Sequence, residues 1–302
     1  MGPTASGKTD VAVELVTSLP LEIVSVDSAM VYRHMDIGTA KPEPATLARA
    51  PHRLLDIRDP EERYSAGDFV RDAQREMADI QALGHMPLLV GGTMLYFRAL
   101  TQGMAALPPA HPKVRAAIDD EAAEAGWPVM HRRLAEVDPE AAGRIGPNDR
   151  QRIQRALEVW RATGKPLSAW HREQESGAPA AYFLMLGLLP AGRAALHRRI
   201  ADRLERMFAA GFVDEVRRLR SRPGLRRTSP AMRSVGYRQV WAQLEGEKTA
   251  EESAEAALAA TRQLAKRQIT WLRSQALSAC IDPLERNAFA AIKSIIGRRM
   301  AR

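Results

Sequence analysis

Cysteine is nearly missing from this chain. Cys280 stands alone among 302 residues, which excludes an internal disulfide framework and any cysteine-based zinc site. No apolar run approaches the roughly 18 residues that a bilayer helix needs. The N-terminus also lacks a basic region followed by an apolar stretch, so no signal peptide is visible. These absences point to a cytoplasmic protein without a membrane anchor. Acidic residues are the minority charge: 36 Asp and Glu face 44 Lys and Arg, leaving a net charge of +8. Aromatics are scarce at 5%. The basic excess therefore suggests a polyanionic partner more than a stacking platform. Hydrophobic residues at 45% are ample for one large globular domain or two.

The first hundred residues alternate short apolar runs with helical patterns. Glu22 to Asp27 is β-branched and reads as a strand. Pro87 to Gly92 is a continuous apolar run, as expected of a strand buried on both faces. Between them Phe69, Ala73, Met77, Ile80 and Leu83 recur at helical spacing. Ser65 serves as N-cap and Gly84 as the stop. Strands alternating with helices imply a parallel sheet. A proline-rich junction at Pro108 to Pro112 then opens a stretch without strands. The expected architecture is an α/β fold, a P-loop NTPase-like parallel sheet flanked by helices, with an all-helical insertion domain. The α/β part comprises residues 1–108 and 178–302, and the insertion residues 109–177. Tyr182 to Leu188 reads as one more sheet strand. Two later helices carry basic faces, Arg199, Arg203 and Arg206 on one and Arg262, Lys266 and Arg273 on the other.

The sharpest motif is Gly2-Pro3-Thr4-Ala5-Ser6-Gly7-Lys8-Thr9, a full match to G-x-x-x-x-G-K-[ST]. At background frequencies it arises by accident in about one chain in a hundred of this length. Its glycines let successive backbone N–H groups turn inward around phosphate oxygens. Lys8 adds a point charge, Thr9 offers its hydroxyl to Mg²⁺, and the helix that follows aims its positive end at the anion. Nucleotide binding, ATP included, is the usual employment of such a loop. A P-loop normally follows a buried strand, yet only Met1 precedes it here. The expectation is a start upstream of Met1, the alternatives being a shortened chain or another segment filling the gap. Asp27 ends the neighbouring strand, where open α/β sheets bind ligands. It supports a metal, takes a proton, or merely closes a turn.

Further motifs accompany the loop. They are Val26-Asp27-Ser28, Tyr32, Met35-Asp36-Ile37-Gly38-Thr39-Ala40-Lys41-Pro42, Pro51-His52, Leu54-Leu55-Asp56 and Tyr64-Ser65-Ala66. Gly91-Gly92-Thr93, Arg155-Ala156-Leu157-Glu158, Val235-Gly236-Tyr237-Arg238-Gln239 and Thr261 to Gln268 complete the set. In order and spacing the chain closely resembles bacterial tRNA dimethylallyltransferases, the tRNA isopentenyltransferase family, over roughly residues 1 to 275.

The resemblance implies transfer of a dimethylallyl group from dimethylallyl diphosphate to N6 of adenosine 37 in tRNA, with Mg²⁺ as cofactor and a monomer as the working unit. It implies Lys8, Thr9, Asp27 and Arg233 as catalytic residues and Gly2 to Thr9 as the diphosphate cradle. The target base would be extruded into a channel between sheet and insertion. Asp27, Ser28, Ala29 and Met30 would meet the target nucleotide region, with Thr93 and Arg115 as further candidates at the channel. Gln151, Arg152, Ile153, Gln154 and Arg155 would contact tRNA, as would Arg233, Ser234, Val235, Gly236, Tyr237 and Arg238. Met30 departs from the Gln of many relatives, which favours an apolar contact there, and the zinc finger of eukaryotic relatives is missing. Two rival readings share parts of this pattern. A small-molecule P-loop kinase has the cradle and the acid, and a non-catalytic RNA-binding module has the basic faces.

Overall fold

The computed structural model describes residues 1–104, 107–174 and 183–300. The chain divides into two compact units, Met1–Arg98 with Phe183–Arg302, and Ala99–Tyr182. The helical unit thus starts earlier than the proline junction suggests, and the expected return near residue 178 lies outside the described residues.

In the first unit the P-loop runs into α1 (Lys8–Val16), followed by β1 (Leu21–Val26), α2 (Pro44–Arg49), β2 (His52–Arg53), α3 (Ala66–Ala82) and β3 (Met86–Gly91). The three strands form a parallel sheet in the order β2-β1-β3. The central strand carries the core: Ile23, Val24 and Val26 are fully buried, each worth about 1.5–3 kcal/mol over exposure. In contrast, β3 is only partly buried except at Gly91. It is the last strand of its sheet, so the expected burial on both faces does not arise. The start of α3 is fixed by a capping box, in which the Ser65 hydroxyl accepts from the Asp68 N–H and the Asp68 carboxylate accepts from the Ser65 N–H. Gly84, at φ +76°, takes the left-handed conformation just past its end.

Helix α4 (Met94–Gln102) carries the chain into the second unit, which holds α5 (Pro112–Ala125), α6 (Trp127–Val137), α7 (Pro139–Arg144), α8 (Arg150–Thr163) and α9 (Leu167–Gln174). Its core gathers Ile118, Met130, Leu134, Ile153 and Leu157. Within it Glu158 has no exposed surface. It accepts from Arg155 Nη1 at 2.7 Å and from the His111 N–H at 2.6 Å, and Arg115 Nε lies 2.9 Å away. Burial pushes its pKa up, but these donors, Arg155 foremost, outweigh that and hold the carboxyl below its usual range.

The chain returns to the first unit through β4 (Leu186–Leu188), α10 (Arg193–Ala209), α11 (Phe212–Arg220), α12 (Tyr237–Leu244), α13 (Ala250–Arg273), β5 (Ala279–Ile281) and α14 (Ala288–Met300). The strand expected from Tyr182 is shorter, and Tyr182 itself lies outside the described residues. Instead of joining the first sheet directly, β4 pairs in parallel with β5. Met1 and Gly2 bridge the two sheets: the Gly2 N–H donates to the Gly91 carbonyl at 3.3 Å and the Leu188 N–H to the Met1 carbonyl at 2.7 Å.

Parallel pairing brings the ends of β1 and β3 very close together. A Cβ on Gly91 would lie 2.0 Å from the Val26 carbonyl oxygen, backbone that cannot swing aside. Gly91→Ala should therefore destabilise the fold by about 2 kcal/mol or more through forced strand separation. Thermal or urea denaturation measures this, and an unchanged melting temperature would contradict the close approach.

Candidate active site

The P-loop owes its shape to backbone freedom and to side chains from distant helices. Gly7 sits at φ +86° and Ala5 at φ +60°, left-handed conformations that turn the chain around the loop. Gln268 on α13 grips it from outside: its Oε1 accepts from the Thr4 N–H at 2.8 Å and its Nε2 donates to the Gly92 carbonyl at 2.8 Å. Arg199 Nε on α10 donates to the Ala5 carbonyl at 2.9 Å. Gly7 provides no side-chain cap for α1, so the first-turn amides of that helix remain available to an anion.

The loop opens onto a cavity of about 410 Å³ lined entirely from the first unit. Lys8, Thr9, Asp27 and Arg203 are among its charged and hydroxyl groups, and Met30, Met94, Ile200, Leu204, Met207 and Leu264 form an apolar wall. Lys8 Nζ donates to the Pro3 carbonyl at 3.1 Å. Burial, then the nearby Arg203 charge, push its pKa down to about 8, with the Asp27 carboxylate opposing them. Arg203 Nη2 donates to the Thr39 carbonyl at 3.1 Å. Burial works against its charge too, and Asp27 again supports it. Two cations thus share the field of one carboxylate.

Asp27 follows β1 directly, and its carboxylate closes a turn, one of the roles read from sequence. Its Oδ1 closes a turn by accepting from the Ala29 N–H at 2.8 Å and the Met30 N–H at 3.1 Å. Among the described residues its Oδ2 accepts no hydrogen bond, while the residue lines the cavity. Thr93 joins the two strand ends, its Oγ1 accepting from the Ser28 N–H at 3.1 Å. As for a metal, the Thr9 hydroxyl is a hard oxygen donor on the cavity wall, and it suits Mg²⁺ shared with phosphate oxygens.

The structure gathers most of the residues expected from sequence. Thr4, Ala5, Lys8, Thr9, Asp27, Ser28, Ala29, Met30, Thr93 and Arg233 to Tyr237 line the cavity. Gly2, Pro3 and Ser6 are buried and shape the loop from behind. The surroundings of the other expected residues differ, and one of these expectations needs correction. Ile153 is fully buried in the helical core, so its side chain faces the interior and meets no RNA. Tyr237 is also fully buried, its hydroxyl donating to Glu215 at 2.6 Å. Arg155 and Arg115 engage Glu158 as described. Gln151 and Arg152 are exposed, and Gln154 donates to Asp119. Arg238 is exposed and not part of the cavity wall. Arg233 is exposed as well, with Nε donating to the Thr228 carbonyl at 3.2 Å. The arginine coupled to Lys8 and Asp27 is Arg203, which sequence reasoning placed only on a basic helix face. Gln268 stood in a quoted motif without a role.

The sequence profile of the IPP transferases matches residues 30–275. The chain belongs to the IPP transferase family. Among curated relatives it is 60% identical over 274 residues to the tRNA dimethylallyltransferase of Thioalkalivibrio sulfidiphilus (strain HL-EbGR7), covering 91% of this chain and 86% of that one. It is 55% identical over 301 residues to the tRNA dimethylallyltransferase of Thiobacillus denitrificans (strain ATCC 25259 / T1), covering 98% and 96%. Among solved structures it resembles the full-length tRNA isopentenylpyrophosphate transferase of Bacillus halodurans, with TM-score 0.72, 33% identity and 99% and 95% coverage. It also resembles a eukaryotic dimethylallyltransferase captured acting on tRNA, with TM-score 0.80, 25% identity and 97% and 76% coverage. Family membership sets aside both the kinase and the non-catalytic module.

The lowered pKa of Lys8 has a consequence for stability. A base whose folded pKa, about 8, lies below the ordinary lysine value of 10.5 destabilises the fold at every pH below 8. That penalty fades as pH rises from 8 towards 10.5. Lys8→Met should therefore melt above the parent protein at pH 7, with the gap closing across that window. A variant that melts below the parent at pH 7 would contradict the burial of this charge.

Proposed function

We propose that this chain transfers the dimethylallyl group of dimethylallyl diphosphate to N6 of adenosine 37 in tRNA, as a cytoplasmic monomer. One observation carries the reading. A single cavity combines a cationic loop suited to diphosphate, an apolar wall suited to a branched allyl group, and a carboxylate at the strand end between them in sequence.

Each part has a physical task. The first-turn amides of α1, with Lys8 and Arg203, hold the diphosphate and stabilise the charge that grows on it as the allylic C–O bond breaks. Met30, Met94 and Met207 among the wall residues exclude water from the developing allylic cation. The N6 nitrogen forms the new C–N bond and loses one proton, and the products are the substituted adenine, diphosphate and that proton. Asp27 Oδ2 accepts the proton or holds the amine in line. An exocyclic amine is so weakly basic that alignment counts at least as much as proton removal. The Asx turn that fixes Oδ1 serves alignment by leaving Asp27 little rotational freedom. Mg²⁺, when bound, would be held by the Thr9 hydroxyl and the diphosphate's own oxygens and would help neutralise the charge on the leaving group, which leaves Asp27 Oδ2 to the amine. Arg233 sits at an exposed part of the wall, where it suits a tRNA phosphate better than the leaving group. The exposed Gln151 and Arg152 of the helical unit suit backbone contact of the kind that positions RNA.

The test is transfer of labelled dimethylallyl diphosphate to an anticodon stem-loop RNA, with labelled ATP in parallel. Asp27→Asn keeps the turn but removes the proton acceptor. It should lower kcat by about a hundredfold or more while retaining pyrophosphate binding. Label entering the RNA from ATP, or an unchanged kcat in the variant, would overturn the assignment.

A further inference from the structure

A second carboxylate lies in the first unit outside the cavity chemistry. Glu215, on α11, is only 3% exposed. Among the described residues it pairs with no cation, and instead four donors converge on it. Its Oε2 accepts from the Asp36 N–H at 2.8 Å and the Ile37 N–H at 2.7 Å. Its Oε1 accepts from the Gly38 N–H at 3.1 Å and the Tyr237 hydroxyl at 2.6 Å. Three consecutive amides of a segment with no regular secondary structure are thereby fixed by one side chain. The same segment is clamped sterically: a Cβ on Gly38 would lie 2.1 Å from Phe212 Cε2 and 2.7 Å from Tyr237 Cε2.

What this clamp holds is one residue further on. The Thr39 carbonyl accepts from Arg203 Nη2, and Arg203 is the cation that shares the field of Lys8 and Asp27. Burying a carboxylate is costly unless every lone pair is used. A merely structural contact between α11 and a loop could be made by an apolar side chain at lower cost. A buried acid with three successive amides gives something an apolar contact does not, a directional grip on the backbone beside Thr39. We infer that Glu215 is a positioning residue for the transfer. It fixes residues 36–38 so that the Thr39 carbonyl aims Arg203 at the leaving diphosphate. This rests on the functional reading above.

The experiment compares Glu215→Gln, Arg203→Lys and the double variant in the transfer assay, with pyrophosphate affinity measured by calorimetry on the same proteins. Glutamine keeps the shape but sets an NH₂ against backbone donors. In the parent background Glu215→Gln should lower kcat at least about tenfold, with KM for the stem-loop RNA within about twofold, because a small displacement of a catalytic group acts on the transition state. It should also weaken pyrophosphate binding. In the Arg203→Lys background its further effect on kcat should be under about twofold, since the route through Arg203 is already broken. Equal loss in both backgrounds, or loss only of melting temperature, would overturn the inference. Should Glu215→Gln fail to fold, Tyr237→Phe keeps the ring against Gly38 and removes one donor, and the same cycle with Arg203→Lys decides the matter. A parent protein that transfers no allyl group would overturn the functional reading instead, and pyrophosphate affinity would still report whether Glu215 aims Arg203.

Discussion

Two positive side chains held against one negative one in the wall of a cavity constrain everything else in the catalytic unit. Lys8 and Arg203 repel each other, and burial raises the cost of both charges. Asp27 offsets part of that cost and cannot offset all of it. A fold that keeps such an excess must hold it in place by geometry, and the geometry is visible. Asp27 is fixed by its own turn, Lys8 by the loop it belongs to, and Arg203 by the Thr39 carbonyl. The arrangement is stable against an arriving polyanion and strained without one, as expected of a site prepared for charge that develops during reaction.

The parts come from far apart in the chain. Gln268 reaches the Thr4 amide across 264 positions, and Arg199 reaches the Ala5 carbonyl across 194. The short sheet β2-β1-β3 supplies only the strand ends on which Asp27 and Thr93 sit. The helices α10, α11 and α13 supply the clamps. A P-loop is thus shaped here by the second half of the chain, and the site is complete only when that half has docked on the first.

How much of this could be read in advance follows from the range of each interaction. Local chemistry was legible. The loop motif, the strand ending before Asp27 and the Ser65 cap all depend on neighbours within a few residues. Partner choice was not. Ile153 and Arg155 lie in one stretch of α8 and Arg115 on α5, yet the two arginines serve the buried Glu158 and Ile153 the helical core. Nothing in their spacing distinguishes a paired arginine from one facing RNA. Arg203 and Arg206 look alike on a helical wheel, and only the packing of α10 against the loop gives the former its role. The pairing of β4 with β5 escaped notice because Ala279 to Ile281 is too short and mixed to read as a strand. Gln268 lay within a quoted motif, but an amide reveals its task only when its two partners are seen.

The charge imbalance itself is open to direct measurement. Calorimetric titration of the protein with pyrophosphate between pH 7 and about pH 10, in buffers of different ionisation heat, follows both affinity and proton uptake. With Lys8 at about 8 in the free protein and raised by a bound anion, affinity corrected for the pyrophosphate's own ionisation should be level near pH 7 and begin to fall as pH approaches 8. Above that it should fall further, with close to one proton taken up on binding. Affinity that stays level to the end of the range without proton uptake, or no binding at all, would contradict the account.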